Sequence, residues 1–253
     1  MMDNRQEVKL VALDMDGTLL TSEQKITKHT REVIRQALAK EVHVVLSTGR
    51  WISSCHPFAE SLSLSSYLVT VNGGEIWTVA KELKDRHLID AQLLEMMWGL
   101  GAENDLDCWM VSTDDIWYNN RPDNFYDHEW LKIGFSSHNE DKLNELVQKL
   151  SHHSELELTN SNPINIEVNP AGVNKATALA KVCDWLGITM DNVLAAGDSL
   201  NDIKMIQQAG TGVAMGNAQE AIKKVADFIT DTNNRDGVAK AIERFVLSEE
   251  PRV

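Results

Sequence analysis

Two aspartates stand one residue apart in Asp14-Met15-Asp16, directly after the apolar run from Val8 to Leu13. A short and almost continuously apolar run is typical of a strand buried on both faces of a parallel sheet. In open α/β sheets, ligands bind outside the carboxyl ends of the strands, and these carboxylates would lie there. They could share one site, or they could be two ordinary acids at a solvated strand end, because so short a motif often occurs by chance.

A second acidic cluster follows another short apolar run, Asn192 to Ala196, and contains Asp198, Asn201 and Asp202. Two acidic strand ends in one parallel sheet can converge on a divalent cation, because the carboxyl ends of parallel strands share one edge. Carboxylate oxygens and water suit a hard ion such as Mg²⁺. The histidines and cysteines show no spacing that favours zinc.

Two further positions could bind a phosphoryl group. Thr48 and Gly49 follow the β-rich run from Val42 to Leu46. A hydroxyl and a backbone N–H there could bind a phosphoryl oxygen, or the hydroxyl could cap a helix. Lys175 begins a helical pattern and could supply positive charge, although a solvated lysine is the commoner case.

The first and last thirds of the chain alternate short apolar runs with helical patterns. Tyr67 to Val71 is a further strand of this kind, and Lys28 to Lys40 is a helix with Thr27 as its predicted N-cap. After Asn169 the same alternation returns, beginning with the helix Lys175 to Leu186. Strands that alternate with helices predict βαβ units and a parallel sheet.

The middle of the chain has a different pattern, in which helices are mixed with segments typical of antiparallel strands. In chain order these are Ala91 to Leu100, Asp107 to Ser112, Ile116 to Asn119, Lys142 to Leu150 with Asn139 as cap, Glu155 to Thr159, and Ile164 to Val168. We therefore predict an α/β fold with a doubly wound, Rossmann-like parallel-sheet core. Residues 1–85 and 170–253 form that core, and residues 86–169 form an inserted α+β domain.

Charge and composition exclude several classes of partner. The chain has 253 residues, with 24 Lys and Arg against 38 Asp and Glu, a formal net charge of −14. Such acidity predicts no nucleic-acid partner and no membrane partner, and no apolar run approaches membrane-spanning length. The polar start MMDNRQEVKL lacks the apolar stretch of a secretory signal, and three distant cysteines indicate reduced thiols in a cytoplasmic protein.

Taken in order along the chain, these motifs resemble those of the haloacid dehalogenase superfamily, and more narrowly its Cof-type small-molecule phosphatases. The resemblance covers most of the chain and rests on ALDMDGTLL, LSTGR, the lysine in Asn174-Lys175, and AAGDSLNDIKMI. VNGGEI, GVAMGNA and NRDGVAKAI also resemble family segments. A glycine usually follows the lysine in this family, and Ala176 stands there in this chain.

The resemblance implies a two-step phosphoryl transfer. Asp14 would attack phosphorus and form an aspartyl-phosphate, while Asp16 would protonate the leaving alkoxide and then accept a proton from the attacking water. Mg²⁺ would be bound by Asp14, the carbonyl of Asp16 and Asp198. Asp202 would lie beside this metal site. The transferring phosphoryl group would be held by the side chains or backbone N–H groups of Met15, Thr48, Gly49, Lys175 and Asn201.

The inserted domain would be the cap that closes over the site, excludes water and selects the substrate. Five of the seven tryptophans fall in or near it. They could form an aromatic wall for a sugar or a base, or they could pack the interior of a small domain. They are Trp77, Trp98, Trp109, Trp117 and Trp130.

The implied activity is that of a Mg²⁺-dependent phosphoric monoester hydrolase for small phosphorylated metabolites such as sugar phosphates, working as a monomer or homodimer. A phosphosugar mutase of the same superfamily would use the same core motifs and return the phosphate to a sugar. A receiver-like phospho-aspartate signalling module also combines clustered aspartates, a hydroxyl, a lysine and Mg²⁺. Such modules, however, are much shorter and lack a cap.

Overall fold

A computed structural model describes residues 6–248, so the first five residues of the polar start lie outside the described part. The strands are β1 (Leu10–Leu13), β2 (His43–Ser47), β3 (Tyr67–Thr70), β4 (Glu75–Thr78), β5 (Leu83–Arg86), β6 (Asp107–Ser112), β7 (Ile116–Tyr118), β8 (Trp130–Ser136), β9 (Leu156–Thr159), β10 (Asn165–Pro170), β11 (Val193–Gly197), β12 (Thr211–Ala214) and β13 (Phe228–Ile229). The helices are α1 (Lys28–Ala39), α2 (Ile52–Ser61), α3 (Ala91–Glu103), α4 (Glu140–Leu150), α5 (Lys175–Leu186), α6 (Ile203–Gln208), α7 (Glu220–Lys223) and α8 (Gly237–Ile242), which continues as a π-helical turn, Glu243–Leu247.

The larger sheet has eight strands in the order β13-β12-β11-β1-β2-β3-β4-β5. The strands from β13 to β3 are parallel, and β4 and β5 add an antiparallel edge. The chain runs outward from β1 through β2 to β3 and later returns on the other side of β1, at β11. This is a doubly wound α/β sheet, as predicted, and the ligands of such sheets bind where the strand order reverses.

The second sheet has five antiparallel strands in the order β7-β6-β8-β10-β9. Its strands lie between Asp107 and Pro170, within or at the edge of the segment that the sequence predicts as an insertion. The helices α3 and α4 pack against it around the buried side chains of Leu94, Phe135 and Leu146. The division of the chain into domains at the predicted boundaries stays a prediction.

The two sheets contact each other through a small apolar cluster. Val71, in the loop after β3, is buried against Val111 of β6 and Leu131 of β8. Trp51 and Trp109 lie at the edge of the cluster. This contact places the second sheet over the loops that follow β2 and β3, which are the loops at the carboxyl edge of the larger sheet.

Local hydrogen bonds explain where several helices begin. The Thr27 hydroxyl accepts from the Thr30 N–H at the start of α1, and the Asn139 side chain accepts from two N–H groups of the first turn of α4. Both caps were predicted from the sequence. Asn174 caps α5 in the same way, directly before Lys175.

Four elements were not predicted from the sequence, namely α2, β4, β5 and β8. Of these, β8 is the central strand of the second sheet, and six of its seven residues are buried. Trp130, Ile133 and Phe135 face the helices, while Leu131 packs against Val71 of the larger sheet. From Leu131 to Ser136 the sequence LKIGFS alternates apolar residues with polar or small ones, so the period-of-two pattern of a strand is present although it was not used to predict β8.

Two expectations about the environment of the chain can be compared with the structure. No helix within residues 6–248 is long and apolar enough to cross a membrane. The cysteines Cys55, Cys108 and Cys183 are buried and free in the described structure. Burial raises the pKa of the Cys55 and Cys108 thiols to about 12, so both stay protonated.

Candidate active site

Asp14 and Asp198 follow neighbouring strands at the point where the strand order of the larger sheet reverses. β1 and β11 pair in parallel, with Leu13 opposite Ala196, so both aspartates leave the sheet at the same edge. Carboxylate oxygens of Asp14, Asp198 and Asp202 lie within 4.8 Å of one another. The structure thus brings together the two acidic strand ends that the sequence places at one edge.

Lys175 lies between two of these carboxylates. It is the first residue of α5, and its side chain is fully buried. Its Nζ donates to Oδ1 of Asp14 at 2.6 Å and to Oδ1 of Asp202 at 2.7 Å. Burial alone would lower the pKa of Lys175, but the two carboxylates raise it, so the side chain is an ammonium. The alternative of a solvated lysine is wrong.

The pKa values of Asp14 and Asp198 are both raised. Burial raises the pKa of Asp14 well above its ordinary value, and the charges of Asp202 and Asp198 add to the rise against the opposing effect of Lys175. Burial and Asp202 raise the pKa of Asp198 to about 6, while hydrogen bonds from Thr18 and Ser199 oppose the rise. The clustered carboxylates therefore need more positive charge than Lys175 supplies.

The same group of side chains fits a divalent cation. Three carboxylates and one ammonium leave two negative charges, which one divalent ion would balance. Asp202 is fully buried and accepts from the Lys175 ammonium and from two backbone N–H groups, whereas Asp198 is partly exposed and, among the described residues, accepts only from the Thr18 and Ser199 hydroxyls. Asp14 and Asp198 are thus the side chains that could bind a cation directly, and their oxygen donors suit Mg²⁺.

The loop after β2 holds the Thr48 hydroxyl at the same edge. The Asn72 N–H donates to the Thr48 carbonyl at 2.9 Å, which ties this loop to the loop after β3. The Thr48 hydroxyl accepts from the Arg50 N–H at 3.1 Å. Since α2 begins only at Ile52 and Trp51 stands at its N-cap position, the helix-capping alternative for Thr48 is wrong.

Asp16 is bound by Arg50. About half of the Asp16 side chain, 48%, is exposed, and both of its oxygens accept from the guanidinium, at 2.7 and 2.5 Å. The Gln24 side chain binds the same guanidinium. Burial opposes the change, but the hydrogen bonds and charge of Arg50 lower the pKa of Asp16 below its usual value. Arg50 therefore favours the carboxylate form of Asp16, which accepts a proton.

The remaining predicted residues lie around this group. The Met15 side chain is buried in the core of the larger sheet, so only its backbone could reach a ligand. Gly49 and Asn201 line the same cavity as Asp14. Asn201 donates to Asn72 Oδ1 at 3.2 Å, and its own Oδ1 is buried without a hydrogen-bond partner in the part of the chain that the structure describes.

A cavity of about 370 Å³ opens over these residues between the two sheets. Polar residues from the loops after β1, β2 and β11 line it, together with residues of β10 and of the loop that precedes it. The lining residues are Asp14, Asp16, Thr48, Gly49, Arg50, Ser161, Asn162, Glu167, Ser199 and Asn201. A small hydrophilic ligand fits such a cavity better than an extended apolar one.

Two charged residues of this region were missed by sequence reasoning. Lys132 of β8 and Glu167 of β10 are both buried and form an ion pair at 2.7 Å, beside the Thr48 loop. Burial would raise the pKa of Glu167, but the charge and hydrogen bond of Lys132, with further hydrogen bonds, lower it. A lysine inside the apolar run WLKIGFS was the available signal, because lysines are rarely buried without a partner.

Trp130, one of the five tryptophans of the middle segment, packs in an interior. It is fully buried and packs edge-on against Trp117, with ring centroids 5.2 Å apart, and against Phe125 at 4.8 Å. The packing interpretation is therefore confirmed for Trp130, in the core of the second sheet.

The model of the family described as haloacid dehalogenase-like hydrolase matches residues 11–133 and 120–242. The chain belongs to the haloacid dehalogenase-like hydrolase family. A 5-amino-6-(5-phospho-D-ribitylamino)uracil phosphatase of Bacillus subtilis is 53% identical over 241 residues, which cover 95% of this chain and 97% of that protein. A phosphoglycolate phosphatase of Methanobrevibacter smithii is 30% identical over 246 residues, which cover 95% of this chain and 99% of that protein.

Solved structures support the same assignment to the haloacid dehalogenase-like hydrolases. One such hydrolase from Bacteroides thetaiotaomicron has a TM-score of 0.80 at 30% identity and covers 94% of this chain and 99% of its own. Membership of the family and the phosphatase relatives confirm the predicted phosphoric monoester hydrolase, a phosphatase of small phosphorylated metabolites.

Proposed function

We propose that this haloacid dehalogenase-like hydrolase releases phosphate in a Mg²⁺-dependent, two-step transfer through an aspartyl-phosphate at Asp14. The observation that carries the proposal is the buried group in which Lys175 lies between Asp14 and Asp202, with Asp198 beside them. The group combines a nucleophile, a fixed positive charge and oxygen donors for a cation at the place where ligands bind in doubly wound sheets.

The chemistry divides between two aspartates. In the first step an oxygen of Asp14 bonds to phosphorus, the bond to the leaving alkoxide breaks, and protonated Asp16 gives that alkoxide its proton. In the second step water attacks the aspartyl-phosphate and gives a proton to Asp16, which releases phosphate and restores Asp14. Because Arg50 holds Asp16 as a carboxylate in the free protein, its role as an acid requires that a bound ester separates Asp16 from Arg50 and so raises the pKa of Asp16.

The other proposed residues bind the cation and the phosphoryl group. Mg²⁺ held by Asp14, the Asp16 carbonyl and Asp198 would supply positive charge that offsets the repulsion between these carboxylates and an anionic ester. Asp202 orients Lys175 and the backbone of Asp198. The phosphoryl oxygens are held by the Thr48 hydroxyl, the Lys175 ammonium, the Asn201 side chain, and the backbone N–H groups of Met15 and Gly49.

The second sheet is proposed to belong to a cap formed by residues 86–169, with residues 1–85 and 170–253 as the catalytic core. It covers the cavity and contributes Ser161, Asn162 and Glu167 to the wall. On this proposal they would contact the leaving group of a bound ester, and the cap would be the part that selects the substrate. The cytoplasmic location and the monomeric or homodimeric state stay predictions.

Removal of divalent cations is expected to abolish hydrolysis. Dialysis against EDTA should reduce phosphate release from p-nitrophenyl phosphate to background, and added Mg²⁺ should restore it. Mg²⁺ should also raise the thermal midpoint of unfolding, because a ligand that binds only the folded state stabilises it. In Asp198→Asn both responses to Mg²⁺ should weaken. Full activity in EDTA would contradict the metal requirement.

The substrate is proposed to be a phosphorylated polyol. Hydroxyl, amide and carboxylate groups line the cavity, namely those of Ser161, Asn162, Glu167 and Ser199. Such groups can bind the successive hydroxyls of a ribityl chain. The relative named as a 5-amino-6-(5-phospho-D-ribitylamino)uracil phosphatase supports this compound as the first candidate.

The substrate proposal predicts a preference that kinetics can measure. We expect kcat/KM for 5-amino-6-(5-phospho-D-ribitylamino)uracil to exceed that for phosphoglycolate by about tenfold or more, because phosphoglycolate leaves the polar wall without partners. Phosphate release and the organic product should be followed together, since a mutase would form an isomer without net phosphate release. An equal or higher kcat/KM for phosphoglycolate would reject the polyol proposal.

A further inference from the structure

Lys132 and Glu167 form a buried ion pair between the two sheets. They lie on the adjacent strands β8 and β10, each is 4% exposed, and Nζ is 2.7 Å from Oε2. Burying two charges is costly unless both are paired and hydrogen-bonded. Both side chains also bind groups of the larger sheet, so the pair does more than join two neighbouring strands.

Lys132 reaches the Thr48 hydroxyl through one peptide group. Its Nζ donates to the Gly49 carbonyl at 2.9 Å. That carbonyl belongs to the Gly49–Arg50 peptide, whose N–H donates to Thr48 Oγ at 3.1 Å. An ammonium bound to the carbonyl end of a peptide polarises the peptide and strengthens its N–H as a donor.

The direction of this hydrogen bond determines what the Thr48 hydroxyl can do. A hydroxyl carries one proton and two acceptor lone pairs. The Arg50 N–H occupies the acceptor side of Thr48 Oγ, so the hydroxyl proton is left to bind an oxygen in the cavity. In the proposed reaction that oxygen belongs to the transferring phosphoryl group.

Glu167 contacts both Lys132 and Asn72, a residue of the loop after β3. Its carboxylate accepts from Lys132, from the Ser161 hydroxyl at 2.6 Å and from the Asn72 side chain at 2.5 Å. The backbone N–H of Asn72 in turn donates to the Thr48 carbonyl at 2.9 Å. The loop that carries Thr48 is therefore bound by the second sheet on two sides.

We propose that Lys132 is a positioning residue for the phosphatase reaction, which orients the Thr48 hydroxyl toward the phosphoryl group through the Gly49–Arg50 peptide, with Glu167 holding Lys132 in place. The inference rests on the proposed role of Thr48 in the hydrolysis. The second sheet then does more than cover the cavity, because its contact completes the phosphoryl-binding loop of the larger sheet.

A double-mutant cycle tests the proposal with p-nitrophenyl phosphate at saturating Mg²⁺. Lys132→Met should lower kcat by about tenfold or more, the range seen when a partner that orients an active-site group is removed. In the Thr48→Val background the same change should lower kcat by less than about twofold, because the hydroxyl it acts on is gone. A purely structural role predicts the same fold-change in both backgrounds, and that result would overturn the proposal.

A matched control uses another lysine that joins the sheets. Lys204 of α6 forms an ion pair with Glu157 of β9 and is not part of the Thr48 loop. The effects of Lys204→Met and Thr48→Val on kcat should multiply independently. If Lys204→Met and Thr48→Val were coupled as strongly as Lys132→Met and Thr48→Val, the coupling would reflect a general loosening of the contact between the sheets. The positioning role of Lys132 would then be rejected.

A second variant covers the case in which Lys132→Met does not fold. The double variant Lys132→Met/Glu167→Gln removes both buried charges and keeps the polar groups of position 167, and it enters the same cycle. Thermal unfolding of every variant identifies losses of fold.

If Thr48→Val alone leaves hydrolysis unchanged, the proposed role of Thr48 fails together with this inference. If Thr48→Val lowers kcat and the cycle shows no coupling, only the inference on Lys132 fails.

Discussion

Asp14→Asn is expected to lose phosphatase activity by a factor on the order of 10⁴ or more, because an amide cannot replace the carboxylate as nucleophile toward phosphorus. The measurement is phosphate release from p-nitrophenyl phosphate with Mg²⁺ at saturation. Asp184→Asn is the matched control, since Asp184 is an exposed aspartate of α5, and it should retain wild-type activity. Activity within about tenfold of wild type in Asp14→Asn would exclude Asp14 as the nucleophile.

The same variant should remain folded. In the metal-free protein, burial and two neighbouring carboxylates raise the pKa of Asp14, so its charge opposes folding. A group whose pKa is raised in the folded state stabilises the fold at low pH, and this contribution is lost as the pH rises through the raised pKa. Without metal, the free energy of unfolding of wild type should therefore fall relative to Asp14→Asn as the pH rises above 3.8, the ordinary pKa of Asp14. Urea unfolding at several pH values measures this difference, and a difference of opposite sign would contradict it.

Lys175→Met is expected to damage both activity and stability. Its ammonium is fully buried between Asp14 and Asp202, and its removal leaves two buried carboxylates without their cation. Breaking a buried pair from one side costs about 3–5 kcal/mol of unfolding free energy. The loss of a positive charge beside the phosphoryl group should lower kcat by about 10²-fold to 10³-fold.

Lys181→Met provides the comparison on the same helix. Lys181 also binds an aspartate, with Nζ 2.6 Å from Asp85, but its side chain is 41% exposed. An exposed pair contributes about 1 kcal/mol or less, so this variant should stay close to wild type in urea unfolding and in kcat. If Lys175→Met and Lys181→Met lost equal amounts of stability and activity, the burial of Lys175 between two carboxylates would have no special effect.

The stability loss of Lys175→Met should depend on pH. Without the ammonium, the pKa of Asp14 should rise further in the folded state, because only protonation can then remove its repulsion with the neighbouring carboxylates. The stability that a raised pKa contributes is present at low pH and is lost as the pH rises. The free energy of unfolding of Lys175→Met should therefore fall further below that of wild type between pH 5 and pH 8. A deficit that shrinks over this interval would contradict the assigned role of the ammonium.

Local patterns in the sequence predicted the larger sheet well. β1, β2, β3 and β11 are short apolar runs, and each was placed within a few residues of its position in the structure. These strands can be recognised from the local sequence, because a strand buried on both faces between crossover helices must be apolar throughout. β8 was not predicted, although LKIGFS within it alternates apolar residues with polar or small ones as an antiparallel strand does.

The helix that begins at Lys175 was predicted, but the burial of its first side chain was not. A lysine at a helix start is usually solvated, and only the approach of Asp14, 161 positions away in the chain, makes burial favourable. The Thr48 hydroxyl was likewise open to two interpretations. The helix-capping interpretation was excluded by the point at which α2 begins, which the motif does not specify.

The sequence by itself determined the family, through its ordered motifs, and the fold class, through local strand and helix patterns; it also supplied the reacting residues that are proposed here. Only the tertiary structure decided how those residues are paired: Arg50 with Asp16, and Lys132 with Glu167 over the Thr48 loop. Lys132 is 83 residues from Gly49, and Glu167 is 95 residues from Asn72. Contacts at such separations depend on how two sheets pack on each other, and no local preference of the chain encodes that placement.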